Sequence, residues 1–73
     1  MTKHGHMEMI ILPTDQGEVK VFVYGFKPLG SWGQVVVQLN DLTVNSKGYN
    51  RKKTIIRTLA QLHQMLVNNQ DQS

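Results

Sequence analysis

The residues best suited to chemistry in this sequence are cations gathered in one segment. Of the eight Lys and Arg residues, five fall within the eleven positions 47–57, and a tyrosine lies among them. The net charge of the whole chain is only +3. A localised basic cluster indicates an acidic partner surface, either nucleic acid or the acidic face of a protein. The predicted partner-binding residues, called the basic segment below, are Lys47, Tyr49, Arg51, Lys52, Lys53 and Arg57.

The placement of these cations is unfavourable for a helix. Asn50 is a suitable N-cap, so Arg51, Lys52 and Lys53 are predicted to occupy the first helical turn. Because the N-terminus is the positive end of the helix dipole, each exposed cation there costs about 0.3–1 kcal/mol when unscreened. A sequence shaped only for stability would carry Asp or Glu here. The pattern therefore favours an external role for these cations over a merely solvated face.

Two kinds of partner suit the basic segment. Nucleic acid would use the cations on phosphates, with Tyr49 stacking on a base or bonding a phosphate. An acidic protein surface would use the same cations in charge-assisted pairs. Neither the aromatic pair of RNA-recognition motifs nor a GXXG loop occurs in the sequence, so the nucleic-acid signal is electrostatic only. Both partners remain open.

The sequence predicts no enzyme and no cofactor. It contains no nucleophile elbow, phosphate loop, dinucleotide fingerprint or zinc-protease motif. General acid–base catalysis needs titrating groups held within reach of one another in a cleft. The five carboxylates are instead scattered over Glu8, Asp15, Glu18, Asp41 and Asp71.

Metal binding is likewise not expected. The chain has no cysteine, which excludes both disulfides and thiolate zinc sites. His4 and His6 form an H-x-H pair, with His63 as the only further imidazole. A convincing transition-metal site needs three or four ligands and a second shell, so the pair is interpreted as part of a flexible N-terminal tail.

The elements that must position the basic segment follow from periodicity. Residues 7–12, 18–26 and 34–39 are apolar or alternating and are separated by turn residues, which predicts three antiparallel strands. From residue 51 onward the period changes to that of a helix. The predicted fold class is α+β, a three-stranded antiparallel meander followed by one C-terminal helix packed on the sheet (β-β-β-α).

One helix can cover only one face of this sheet. Its predicted buried stripe is Ile55, Leu59, Leu62 and Leu66, widened by Ile56, Ala60, His63 and Val67. In the strand 18–26 the valines point to one face, while Lys20, Phe22, Tyr24 and Phe26 point to the other, with Trp32 nearby. The face without the helix is then either covered by loops or is an apolar contact surface for a partner.

Length and hydropathy set the remaining expectations. A chain of 73 residues has room for a single domain, 1–73, with predicted tails at 1–6 and 68–73. No apolar run approaches the roughly 18 residues of a membrane span. The expectations are a cytoplasmic, monomeric protein without membrane contact.

The chain resembles the small proteins with which lytic bacteriophages inhibit a host enzyme, in particular the RNA polymerase inhibitor type made by a phage of Xanthomonas. The similarity is in length, basic balance, absence of cysteine and single-domain simplicity. It implies binding to bacterial RNA polymerase, inhibition of promoter-specific initiation, and antitermination. Residues 35–62 are also similar to one unit of YegP-like domains, in which a strand leads through a Gly-Tyr turn, here Gly48 and Tyr49, into a helix.

Three hypotheses for function follow. The first is a non-enzymatic, protein-binding regulator of transcription that acts on a large host complex. The second is a small nucleic-acid-binding module that uses the basic segment. The third is a structural subunit that forms a homodimer through a sheet edge.

Overall fold

The computed structural model describes residues 7–27 and 30–71, the last three by backbone alone. The described residues form one antiparallel sheet of four strands in the order β1-β2-β3-β4, followed by one helix. The elements are β1 (Met7–Thr14), β2 (Gly17–Gly25), β3 (Gly33–Leu39), β4 (Leu42–Gly48) and α1 (Arg51–Asp71). The α+β class and the C-terminal helix on the sheet are confirmed, whereas the prediction of three strands is wrong by one.

The strand missing from the prediction is β4. Leu39 pairs with Leu42 across a two-residue turn, in which Asn40 has a positive φ of 54° that asparagine tolerates better than most residues. Only Val44 and Ser46 of β4 are buried, and the exposed residues that alternate with them, Thr43, Asn45 and Lys47, are polar. In β4 polar residues alternate with residues that are small or apolar, and Ser46 and Gly48 are small. Residues 45–48 therefore resemble a loop in sequence, although they continue the sheet.

The core lies between the helix and one face of the sheet, called the closed face below. Alternate side chains of β2, β3 and β4 point into it and are almost completely buried. Helix α1 lies over β3 and β4 and contributes Leu62. The buried apolar residues of the sheet are Val19, Val21, Val23, Val35, Val37, Leu39 and Val44. The helix therefore covers the valine face, a choice that periodicity alone left open.

The helix contacts the sheet through smaller side chains than predicted. Thr54 and Thr58 are 1% and 0% exposed. Their hydroxyls donate to the Asn50 carbonyl oxygen at 2.6 Å and the Thr54 carbonyl oxygen at 2.7 Å, respectively. A Cβ on Gly48 would lie 2.7 Å from Thr54 Oγ1, so the glycine permits this close approach.

The predicted helix stripe forms part of the contact with the sheet, but the predicted widening of that stripe is on the wrong side. Leu62 is buried and the other three residues of the predicted stripe are half-buried. The residues predicted to widen it are exposed, with Ile56 at 58% and Val67 at 36%. Ala60 and His63 are exposed as well. The predicted stripe therefore does pack on the core, but the contact widens toward Thr54 and Thr58, whose hydroxyls satisfy their own hydrogen bonds, and not toward Ile56.

Phe26 leaves the face to which alternation assigned it. It is 3% exposed and belongs to the core, because Gly25 and Phe26 have φ values of 82° and 64° that reverse the alternation at the end of β2. The Phe26 N–H donates to the Trp32 carbonyl oxygen at 3.0 Å. The phenyl ring packs against Gly33, where any Cβ would overlap it.

The two predicted tails differ in outcome. Helix α1 continues to Asp71 and so includes residues 68–71 of the predicted C-terminal tail. Residues 72–73 and the predicted N-terminal tail, residues 1–6, lie outside the described residues. Within the described part of the chain, no helix combines the length and the hydropathy needed to cross a membrane.

Candidate protein-binding surface

The side of the sheet away from α1, called the open face below, is formed by three rows of side chains that cross all four strands. Directly opposed residues of antiparallel strands lie on the same side, so the pairing register defines each row. The first row is Met7, Tyr24, Gln34 and Lys47. The middle row is Met9, Phe22, Val36 and Asn45. The last row is Ile11, Lys20, Gln38 and Thr43.

Polarity changes across the open face. Its β1 side is apolar and exposed, with Met7 at 48%, Met9 at 53% and Ile11 at 45% exposure. Tyr24 on β2 is 39% exposed. The β4 side is polar throughout, so the apolar residues form one contiguous patch bounded by amides, a hydroxyl and two lysines. A contiguous exposed apolar patch with a polar rim is typical of an interaction surface.

The basic segment lies at one end of this face. Lys47 belongs to the first row of the open face, and Tyr49, at 67% exposure, follows directly after β4. Lys52 and Lys53 are exposed in the first turn of α1. None of these three lysines forms an ion pair with another described residue. Together they make the end of the open face positively charged.

Two residues of the basic segment form contacts within the fold. Arg51 donates from Nε and Nη2 to Glu8 Oε1 at 3.1 and 2.6 Å, with side chains 41% and 43% exposed. This pair joins the helix start to β1. Arg57 Nη1 donates to the Lys47 carbonyl oxygen at 3.2 Å and so ties α1 to β4. Sequence reasoning missed both internal roles. Glu8 and Arg51 lie 43 positions apart, and Arg57 bonds to a backbone oxygen, which residue types do not reveal.

The helix start is as predicted. Asn50 Oδ1 accepts the Lys53 N–H at 2.9 Å, and the Asn50 carbonyl oxygen accepts the Thr54 N–H at 2.9 Å. These are the bonds of an N-cap, and no acidic residue occupies the first turn. The cations of this turn therefore face the positive end of the helix dipole, and among the described residues only Arg51 is paired to a carboxylate.

A depression of about 380 Å³ lies beside the helix start. Phe26 and Tyr49 contribute aromatic rings, and Arg51 and Lys52 contribute cations. Gly30 and Asn50 complete the described lining, and no carboxylate is among these residues. The depression can accept a planar or anionic group, but it holds no nucleophile with an adjacent base.

The described residues assemble no metal site. No group of three or more His, Cys, Asp or Glu side chains in residues 7–27 and 30–68 could hold an ion. His63 is exposed on the helix, and His4 and His6 lie outside the described residues.

The three apolar residues of β1 on the open face are functional candidates that sequence reasoning passed over. The segment 7–12 is apolar on both faces, so it shows no alternation that would separate a core side from a surface side. The sequence nevertheless contained an indication of this surface. A single helix can cover only one face of a sheet, so the other face of every strand stays uncovered by it.

Comparison with known proteins adds no family to this description. No protein-family model matches the chain, and no curated protein or solved structure matches it significantly.

Proposed function

We propose that this protein is a non-enzymatic regulator that docks on a large protein complex through its open face and basic segment. The observation that carries the proposal is the exposed apolar patch of Met7, Met9, Ile11 and Tyr24, which no described element covers. In a domain this small, such a surface is costly to leave in water unless a partner uses it.

The composition of the patch suits a protein partner. Met and aromatic residues are enriched at the centre of protein interfaces, while Lys is depleted there and common at the rim. Methionine is unbranched and polarisable, so a Met-rich patch adapts to an irregular partner surface. Met7 and Met9 supply this character, and Tyr24 supplies a rigid anchor with a polar end.

The basic segment defines the charge of the partner. Lys47 lies in the same row as Met7 and Tyr24, and Tyr49, Lys52 and Lys53 follow beside it. A partner that covers the patch therefore meets cations at one end of it. An acidic rim on the partner would speed association and set its orientation.

The resemblance to phage inhibitors supplies the partner's identity. Bacterial RNA polymerase, bound so that promoter-specific initiation is inhibited and antitermination is promoted, is the complex that we propose. The site of action would then be the cytoplasm of the host cell.

The test is binding of the full chain to purified bacterial RNA polymerase, with promoter-directed transcription as the functional readout. Tyr24→Ser should weaken binding at least about tenfold, since tyrosine anchors commonly contribute more than 1.4 kcal/mol. Thr43→Ser, on the polar side of the same face, is the matched control and should bind as the unmodified chain does. Absence of binding to both core enzyme and holoenzyme would remove RNA polymerase from the proposal. If Tyr24→Ser binds as tightly as the unmodified chain, the open face is not the binding surface.

Nucleic acid is the second candidate, favoured by the depression between Phe26, Tyr49 and Lys52. A base could stack on an exposed ring there while cations meet the phosphates. Its test is titration of single- and double-stranded oligonucleotides over a salt series. Steep loss of affinity with salt, and a slope reduced by about one in Lys52→Ala, would establish this candidate. Weak binding without a salt slope would exclude it.

A further inference from the structure

We propose that β1 pairs with β1 of a second copy of this chain, giving a dimer with one continuous antiparallel sheet. The inference goes beyond docking by the open face, because it rests on the edge of the sheet. It replaces the expectation of a monomer and leaves the open face and the basic segment of each copy available to a partner.

The outer edge of β1 is long and regular. β1 is the first strand of the sheet, and no described residue pairs with its outer side. Its ladder to β2 runs without a bulge from Met7↔Tyr24 to Thr14↔Gly17. An edge strand presents unpaired N–H and C=O groups, which makes a straight edge of eight residues a template for another strand.

The other edge of the sheet is protected, whereas β1 is not. β4 carries Lys47 and Asn45, and the Arg57 guanidinium already binds the Lys47 carbonyl oxygen. β1 contains no Lys or Arg, and its one charged residue, Glu8, is bonded to Arg51. Charged side chains and bulges are the usual means by which edges avoid pairing. Pro13, near the end of β1, is the single protective residue there.

Two symmetric registers use the greatest length of β1. Opposed residues in an antiparallel pair lie on the same side of a sheet, so the two-fold axis is perpendicular to it and passes through a residue position, and axes at Ile10 and Ile11 give the longest overlaps. An axis at Ile10 would set Glu8 against Leu12 of the second copy. An axis at Ile11 sets Glu8 against a polar residue and pairs apolar residues with one another elsewhere. Its pairs are Ile11 with Ile11, Ile10 with Leu12, Met9 with Pro13 and Glu8 with Thr14.

The exposure and the charge of β1 both favour a second copy of the chain as its partner. Met9, Ile11 and Leu12 are 53%, 45% and 38% exposed, and pairing at Ile11 would bury part of each. β1 carries one charged residue, Glu8, and Arg51 binds it, so two paired β1 strands bring no unpaired like charges together. Lys47 lies on β4, some three strand spacings of about 4.8 Å from β1, which is well over a Debye length at physiological salt.

Sedimentation equilibrium of the full chain over a wide concentration range tests the proposal. The unmodified chain should dimerise, and Leu12→Lys should weaken the dimer by more than about tenfold, because the two lysines would lie next to the axis. Leu12 is 38% exposed and lies outside the open face, so the lysine fits an intact monomer, and circular dichroism should be unchanged. The matched control is Thr43→Lys on the β4 edge, which should dimerise normally.

The cysteine-free sequence allows a second measurement of the register. In Ile11→Cys the two introduced thiols would lie opposite each other across the two-fold axis, so mild oxidation should cross-link this variant fastest. Ile10→Cys should cross-link more slowly, and Asn45→Cys, on the β4 edge, should not cross-link at low concentration.

Three outcomes would overturn the proposal. They are a monomer at every concentration, a dimer insensitive to Leu12→Lys, and cross-linking of Asn45→Cys at the rate of Ile11→Cys. If the chain is monomeric but Leu12→Lys, which leaves the open face unchanged, abolishes binding to RNA polymerase, the edge serves a partner's strand and the second-copy proposal is wrong. Loss of the dimer with retained polymerase binding would leave the proposed function intact.

Discussion

The two faces of the sheet are built from the same strands but differ in what they do. On the closed face, alternate valines and Leu39 are nearly inaccessible and pack against the helix. On the open face, the intervening residues change from apolar on β1 to polar and basic on β4. The difference indicates that one set of positions carries the stability of the fold, while the other set is free to vary in polarity.

The largest expected difference between the faces is in stability. Leu39→Ala, at a position 2% exposed, should lower the free energy of unfolding by about 2–5 kcal/mol through lost burial and a cavity. Met9→Ala, at a position 53% exposed, should change it by less than about 0.5 kcal/mol. Urea denaturation of both variants at one fixed protein concentration measures the contrast. Equal losses would mean that the open face is also part of the stabilising core.

The second prediction concerns Phe26, which crosses from the open to the closed face. Gly33→Ala should destabilise by about 1–3 kcal/mol, because its Cβ would overlap the Phe26 ring and lie 2.5 Å from the Tyr24 carbonyl oxygen. Part of this loss should disappear in the Phe26→Leu background, since the smaller, flexible side chain can move aside. Thermal unfolding of the four members of this double-mutant cycle gives the coupling. Strict additivity would show that the ring does not pack on Gly33.

The third prediction separates the paired cation of the helix start from the unpaired ones. Arg51→Ala should lower stability by about 0.5–1 kcal/mol, discounted because both partners of the Glu8 pair are over two-fifths exposed. Lys53→Ala should leave stability unchanged or slightly raised, since it removes a cation from the positive end of the helix dipole. Unfolding at low and high salt distinguishes them, and a larger loss for Lys53→Ala than for Arg51→Ala would contradict these roles.

The smallest expected effect is on the closed face itself. The Ser46 hydroxyl is buried and has no hydrogen-bond partner among the described residues. Ser46→Ala should therefore raise the free energy of unfolding slightly, by at most about 1 kcal/mol. Thr58→Ala is the control and should lower it, because the Thr58 methyl group and its bond to the Thr54 carbonyl oxygen are both lost. Calorimetric melting temperatures are sufficient, and a clear loss in Ser46→Ala would show a hidden partner for that hydroxyl.

Local signals in the sequence predicted those parts of the fold that depend on neighbouring residues. Alternation in β2 correctly placed its valines on one face of the sheet, and Asn50 identified the helix start that its side chain caps. These features are encoded within a few residues of one another. Three of the four strands, the helix and the class of the fold were accordingly predictable.

Features set by distant parts of the chain were not predictable in the same way. β4 is a strand because β3 pairs with it, although its own residues are largely polar. Phe26 is buried because Gly33, seven positions away, leaves room for its ring. The role of Arg51 requires Glu8 on the first strand. The basic segment was visible in the sequence, but the apolar patch beside it depended on which face the helix covers.

The order of the strands has a consequence for how the chain opens. Every strand pairs with the next one in sequence, and α1 packs on β3 and β4, so β1 is held mainly by β2 and by the Glu8–Arg51 pair. Contacts between successive elements favour rapid folding. Hydrogen exchange in a dilute solution should then be slowest in β3 and fastest in β1 among the strands. The strand proposed to recruit a second copy is thus also the one that separates from the sheet most readily.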